Sequence, residues 1–207
     1  MDKVEIPRKA IYRLSVYTRC LRRLNEKGIE TISSTALASA AGVKPAQLRK
    51  DLGYFGQFGT RGLGYPVEVL LTAFREVLGR ATLQPVIIVG AGNLGRALLR
   101  YEGFLKDGFE LLAAFDKSPE NIDTSRVPVP LHSDQELPAF IKKHRVRMAI
   151  LCVPAEFGQE VANTLVESGV QGILNFSPTI LQTPDHVVVT RVDLALELEN
   201  LSFFIDQ

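Results

Sequence analysis

The chain has 207 residues, 46% of them hydrophobic and 23% charged, with a formal net charge of +1, which suits an ordinary globular protein large enough for two cores and argues against a disordered or fibrous one. Its apolar runs, such as Val86 to Gly90 and Met148 to Pro154, fall far short of the roughly 20 residues that span a bilayer, and the first residues lack the apolar stretch of a secretory signal, so a cytoplasmic chain without a membrane partner is expected. The charge is unevenly divided: residues 1–80 hold fourteen Lys or Arg against seven Asp or Glu, and 81–207 hold ten against sixteen, an asymmetry that points to a nucleic-acid partner for the basic segment.

From Pro7 to about Lys27, the residues Ile11, Leu14, Tyr17, Leu21 and Leu24 recur at three- and four-residue steps, which predicts a long helix with one buried stripe, ended by Gly28. Ser33 or Ser34 is placed to cap a short helix of small residues that Gly42 closes. Pro45 suits the first position of the next helix, with Leu48, Leu52 and Phe55 on one side and Ala46, Gln47, Arg49, Lys50 and Gly53 around the solvent-facing arc. Two short helices joined by a glycine-containing turn form a helix-turn-helix. Gln pairs with adenine, Arg or Lys with guanine, and either cation grips phosphate. A solvated polar face is the alternative for such a helix taken alone.

Five glycines lie among aromatic residues between Gly53 and Tyr65. They suit a tight hairpin whose tip, Thr60 and Arg61, would enter a minor groove as a wing; without a Gly-Lys-Ser/Thr ending the stretch is no phosphate-binding P-loop. Pro66 to Leu78 predicts a closing helix packed through Val67, Leu70, Leu71, Phe74 and Leu78. Residues 1–80 thus read as one winged helix-turn-helix domain.

Residues 79–85 read as a linker, and the β-branched run after them suits a central parallel strand covered on both faces. Gly90, Gly92 and Gly95 then satisfy the G-x-G-x-x-G pattern: a tight turn, an approach for a pyrophosphate, and close helix-strand packing. Ala91, Asn93 and Leu94 lie between them, where backbone amides at the start of a helix would hold phosphates. The strand Phe109–Asp116 ends in an acid about 20 residues past the glycines, as dinucleotide binding requires, and favours NAD over NADP by accepting from ribose hydroxyls. Lys117 would tolerate an extra phosphate and weakens that preference. Helix signals at 134–144 and 155–169 alternate with strand signals at 146–154, 170–178 and 186–192, which predicts an α/β Rossmann fold, a doubly wound parallel sheet, over residues 81–207. Strand C-termini place Val153, Pro154, Asn175, Phe176 and Ser177 as candidates to line the nicotinamide end, with ordinary strand-end packing as the other reading.

A dehydrogenase needs a proton donor or acceptor beside its reacting carbon. His144 ends a basic helix, His132 is expected in a loop and His186 at the opening of the last strand, and no metal or nucleophile motif occurs, so no catalytic residue and no metal ligand is assigned. Cys20 and Cys152 are expected as buried free thiols. The cofactor, NAD(H), is therefore expected to act as a signal; a small NAD-dependent oxidoreductase with an appended basic domain, or a sensor of another nucleotide, are the rivals. The last helix, about 193–206, carries a stripe of Leu194, Leu198, Leu201 and Ile205 plus Leu196, Phe203 and Phe204, more apolar surface than one face needs. It would pack against a partner subunit, be exchanged with it, or dock on its own domain.

Four stretches together, Gln47–Tyr65, Val89–Phe104, Ile173–Pro178 and Val192–Phe204, resemble the bacterial Rex family of redox-sensing transcriptional repressors, in order and over essentially the full length. The resemblance implies a homodimer that binds palindromic double-stranded operator DNA and lets go when NADH accumulates. It places the recognition helix at Pro45 to Tyr54, so that Lys44, Ala46, Gln47, Arg49, Lys50, Tyr54, Thr60 and Arg61 are the candidate DNA contacts. It also implies dinucleotide binding by Gly90 to Gly95 and Asp116, and switch contacts at Arg19, Tyr101 and Asp193. Two positions depart from the family pattern: Lys44 stands where a hydroxyl cap is common, and Leu194 and Ala195 replace a bulkier aromatic pair of some relatives.

Overall fold

A computed structural model describes residues 6–59, 63–79 and 82–205. Thr60 and Arg61, the expected wing tip, lie outside the described residues. The chain divides into two compact units, Met1–Thr82 and Leu83–Gln207.

The first unit runs α1 (Arg8–Glu26), β1 (Thr31–Ile32), α2 (Ser34–Ala40), α3 (Pro45–Gly53), β2 (Tyr65–Pro66) and α4 (Val67–Val77). The stripe of α1 is buried at Ala10, Leu14, Tyr17 and Leu21, with Ile11 only half-buried. Leu14, Tyr17 and Leu21 share one core with Leu37 of α2, Leu48 and Leu52 of α3 and the buried residues Val67, Leu70, Leu71 and Phe74 of α4. Ser33, not Ser34, caps α2, its hydroxyl accepting from the Ala36 amide at 3.1 Å. The expected hairpin within the glycine-rich stretch is corrected: β2 pairs antiparallel with β1, Thr31 opposite Pro66, and among the described residues Tyr54 to Gly59 form no strand. Such a glycine-dense stretch has little strand propensity. What holds it is Phe58, packed edge-on against Phe74 with ring centres 6.0 Å apart. Gly64 is needed where it stands: at φ +83°, a Cβ would sit 2.6 Å from the Ile32 carbonyl oxygen.

The second unit comprises β3 (Gln84–Val89), α5 (Asn93–Leu99), α6 (Gly103–Lys106), β4 (Phe109–Asp116), β5 (Leu131–Ser133), α7 (Leu137–His144), β6 (Met148–Leu151), α8 (Ala155–Glu167), β7 (Gly172–Asn175), β8 (Val188–Arg191) and α9 (Leu194–Ile205). Six strands form one sheet in the order β5-β4-β3-β6-β7-β8, and every pair is parallel. The chain winds outward from β3 in one direction and from β6 in the other, so the two halves part at the C-terminal ends of β3 and β6, where open α/β sheets hold ligands.

Several boundaries differ from the sequence reading, and three of them move named residues. Gln84 and Pro85, expected in the linker, open β3. His132 lies on the edge strand β5 rather than in a loop; three residues between Pro130 and Asp134 are too few to show periodicity. His186 precedes the last strand by two residues instead of opening it. Among the described residues no helix is long and apolar enough to cross a membrane.

Candidate nucleotide pocket and nucleic-acid face

The three glycines after β3 are not equivalent. Gly90 has φ +96° and a Cβ there would lie 2.5 Å from the Cys152 carbonyl oxygen; at Gly95 it would lie 1.9 Å from the Gly90 carbonyl oxygen. Both positions close the turn against protein backbone. At Gly92 an added Cβ would meet no atom within 4 Å, so the chain there faces open space. The Asp116 carboxylate ties β4 to this turn, accepting from the Ala91 amide at 2.8 Å and from the Ser118 amide at 3.1 Å. A carboxylate has about four acceptor sites, so capacity remains for a ribose hydroxyl.

A cavity of about 610 Å³ opens over the turn, bounded by Gly90, Gly92, Asp116, Lys117, Val153 and Pro154, within the about 300–1,000 Å³ of small-molecule sites. The residues fit a dinucleotide: closed backbone on two sides of the loop, an open approach at Gly92, and an acid at the end of the neighbouring strand. Sequence reasoning missed two of its walls. One is α8, through Phe157, Glu160, Val161 and Thr164; the other is Asp134 and Gln135 beyond β5. The spacing of the α8 set, three, one and three residues apart, is a single helix face and was readable as such. Lys117 leans over the Phe157 ring, 4.8 Å from its centre. Cys152 lines the cavity as a half-buried free thiol that burial pushes up to about 12, and Cys20 is also a half-buried free thiol.

Among the described residues, the remaining expected cofactor residues are not among those bounding this cavity. Ala91 is buried beneath the turn, Asn93 accepts from Arg96 at 2.9 Å, and Leu94 is exposed. Asn175 and Ser177 are buried, and among the described residues neither lines the cavity. Their polar groups are spent internally: Asn175 donates to the Thr179 carbonyl at 2.9 Å and accepts from the Ser177 amide at 2.9 Å. Gly158 of α8 lets this turn approach, since a Cβ there would meet Ser177 Oγ at 2.8 Å. Phe176 packs into the core on the sheet face holding Val86, Ile88 and Ile150.

On the first unit, Lys44, Ala46, Arg49 and Lys50 are exposed and Tyr54 is half-buried. Arg49 donates weakly to the Ser34 hydroxyl at 3.4 Å. Gln47 corrects the sequence reading, being half-buried and donating to Asp51 at 2.8 Å. Asp51, which the sequence reading passed over, has no exposed surface. It accepts from Arg13 Nε at 2.6 Å, Arg13 Nη2 at 2.7 Å and the Tyr17 hydroxyl at 2.7 Å. Burial alone would raise the Asp51 carboxyl, but these hydrogen bonds, with that of Gln47 and the Arg13 charge, outweigh it and hold it below the ordinary carboxylate value. Tyr17 is pushed up, first by burial and then by its bond to Asp51.

Of the expected switch residues, Arg19 is exposed on α1, and Tyr101 is exposed with its ring edge-on to Phe104 at 5.1 Å. Asp193 caps α9 by accepting from the Leu196 amide at 3.1 Å and pairs with Arg191; the capping bond, ahead of the Arg191 pair, lowers its carboxyl. Nothing on α9 is buried: Leu194, Leu198, Leu201, Phe203, Phe204 and Ile205 are all more than half exposed.

Comparison with known proteins sorts these two sites. Residues 5–53 match the family described as "Putative DNA-binding protein N-terminus" and residues 82–179 match the "CoA binding domain" family. Two proteins named redox-sensing transcriptional repressor Rex are each 45% identical over 203 residues: that of Pelotomaculum thermopropionicum, covering 98% of this chain and 95% of the relative, and that of Carboxydothermus hydrogenoformans, covering 98% of each. The chain belongs to the Rex family of redox-sensing transcriptional repressors. Among solved structures, the Rex-family repressor RSP is similar at a TM-score of 0.86, with 34% identity and coverage of 98% of this chain and 95% of the other. RSP in complex with β-NAD+ and operator DNA is similar at 0.90, with 35% identity and coverage of 98% and 94%. RSP with β-NADH is similar at 0.85, with 34% identity and coverage of 97% and 94%.

Proposed function

We propose that this chain represses transcription by holding palindromic operator DNA as a homodimer, and that NADH bound over Gly92 releases it. The carrying observation is the glycine turn, closed by backbone at Gly90 and Gly95 and open at Gly92, beside a cavity that Asp116 also lines. The relatives named for both ligands support the same reading. Gly90 to Gly95 would hold the pyrophosphate and Asp116 a ribose hydroxyl. Val153 and Pro154 would face the nicotinamide. The oxidised ring carries a positive charge that the reduced ring lacks, and apolar surroundings disfavour a buried charge, so the reduced form is the effector.

No residue is assigned a catalytic role. The histidines lie on β5, at the end of α7 and ahead of β8, and burial raises the Cys152 thiol, which disfavours its thiolate. The domains are taken as 1–80, holding operator DNA, and 81–207, holding nucleotide and partner. Exposed Lys44, Ala46, Arg49 and Lys50 form the DNA face, and Thr60 and Arg61 are taken as further DNA contacts. An exposed apolar patch of this extent marks an interaction surface, so α9 is where a second copy would be held, and Arg19, Tyr101 and Asp193 are the groups expected to exchange partners between bound and released states. Such a repressor works in the cytoplasm.

Anisotropy of a labelled palindromic duplex selected by the protein, titrated at one fixed salt concentration with NADH, NAD+ and NADPH, tests this reading. Release by NADH at far lower concentration than by the others, without consumption of NADH when carbonyl compounds are added, is expected. Steady oxidation of NADH would favour the oxidoreductase instead. Leu198→Glu should convert a dimer to a monomer in sedimentation; an unchanged sedimentation coefficient contradicts the assignment of α9.

A further inference from the structure

We infer that Asp51 takes Gln47 out of operator reading: Arg13 and Tyr17, through Asp51, set the roll of α3, and bases are read by the exposed arc of Ala46, Arg49 and Lys50. This rests on the DNA-binding reading above. Gln47 is the residue type that would pair with adenine, which needs its amide to donate and accept together in the groove. One of the two hydrogens of its amide nitrogen goes instead to Asp51 Oδ1 at 2.8 Å, which with the half-burial of the side chain holds the amide back along α3; a carboxylate offers only acceptors, so the direction of this bond is fixed.

The same oxygen accepts from Arg13 Nη2 at 2.7 Å, and Oδ2 accepts from Arg13 Nε at 2.6 Å and from the Tyr17 hydroxyl at 2.7 Å. All four acceptor sites of a side chain without exposed surface are thereby filled. Turned away from Asp51 toward a base edge, Gln47 would give up a charge-assisted bond and leave Asp51 with an empty buried site, a loss comparable to what the new contact would return. Arg13 and Tyr17, four residues apart on one face of α1, both bond Asp51 on α3, so these three side chains join the two helices while the Gln47 bond stays within α3. This link resists rotation of α3 about its own axis, and that rotation decides where Arg49 and Lys50 point.

The test uses full-length protein and a pool of randomised duplexes about two helical turns long, recovering the bound fraction at one salt concentration and sequencing it. Gln47→Ala should keep the wild-type preference at every base pair within threefold, whereas Lys50→Ala or Arg49→Ala should relax at least one position by tenfold or more. Asp51→Asn, confirmed folded by circular dichroism, should flatten the preferences that those two residues set. A relaxation of threefold or more at a single base pair in Gln47→Ala makes Gln47 a reader and overturns the inference. Wild-type preferences in folded Asp51→Asn overturn the positioning role; should that variant not fold, the Gln47→Ala result alone decides. Absence of any preference in the wild-type protein overturns the DNA-binding reading itself, and this inference with it.

Discussion

Asp51 and Asp116 are both carboxylates held by hydrogen bonds, and their donors differ in kind. Asp51 is fully buried and is held by side chains, chiefly Arg13 and Tyr17 from a helix 34 to 38 residues away in sequence. Asp116 is half-buried and is held by the backbone amides of Ala91 and Ser118, at the rim of a cavity. In the N-terminal unit, then, polar geometry depends on side-chain identity at four positions. In the C-terminal unit it depends on where glycine lets the backbone pass, so the units should fail under different substitutions.

The largest effect on stability is expected at Gly95→Ala. Its Cβ would lie 1.9 Å from the Gly90 carbonyl oxygen, in backbone that cannot swing aside, so the cost should reach about 3 kcal/mol or more, the upper range for overpacking. Thermal unfolding of the full chain would show it; an unchanged midpoint would mean that the turn is not closed as described. Asp51→Ala should follow at about 2–3 kcal/mol, because it leaves Arg13, Tyr17 and Gln47 without their acceptor while Arg13, part-exposed, still reaches water. Denaturant unfolding with no loss at this position would refute the role of the cluster.

Acid should expose the same difference with a smaller effect. The folded chain holds the Asp51 carboxyl below its ordinary value, so its contribution is complete above about pH 4, the unfolded carboxylate value. It is lost as pH falls through the lower folded value, by at most about 1.4 kcal/mol per pH unit. Asp51→Asn should remove that part of the acid dependence, and equal acid slopes in wild type and variant would contradict it. The smallest effect on stability is expected at Gly92→Ala, within about 0.5 kcal/mol, because an added Cβ there meets nothing within 4 Å; a clear loss in the same melting experiment would show the site is not open.

Much of this organisation is legible in the amino-acid order. The Leu14, Tyr17 and Leu21 part of the α1 stripe, a serine cap on α2, the glycines around the start of α5 and the apolar run of β4 each follow from local periodicity or backbone geometry, although the amino-acid order does not choose between Ser33 and Ser34. Asp51 was not legible, because an acid on a polar-looking helix reads as solvated and its partner Arg13 is 38 residues distant. Local pattern carries no information about such a pair. The surroundings of Asn175 and Ser177 were illegible for the opposite reason: strand ends are where ligands bind, and only the hydrogen bonds within the turn show the Asn175 side chain engaged with the chain itself. Strand β5, three residues long, gave no period to read.

Operator release by Gly92→Ala protein tests the central claim most directly, because one methyl group is placed where the nucleotide must pass and nowhere that the protein needs. With a labelled palindromic duplex bound, NADH should dissociate the wild-type protein, while the variant, equally stable and equally able to hold DNA, should keep its duplex at NADH concentrations at least tenfold higher. Release of both at the same NADH concentration would contradict the account.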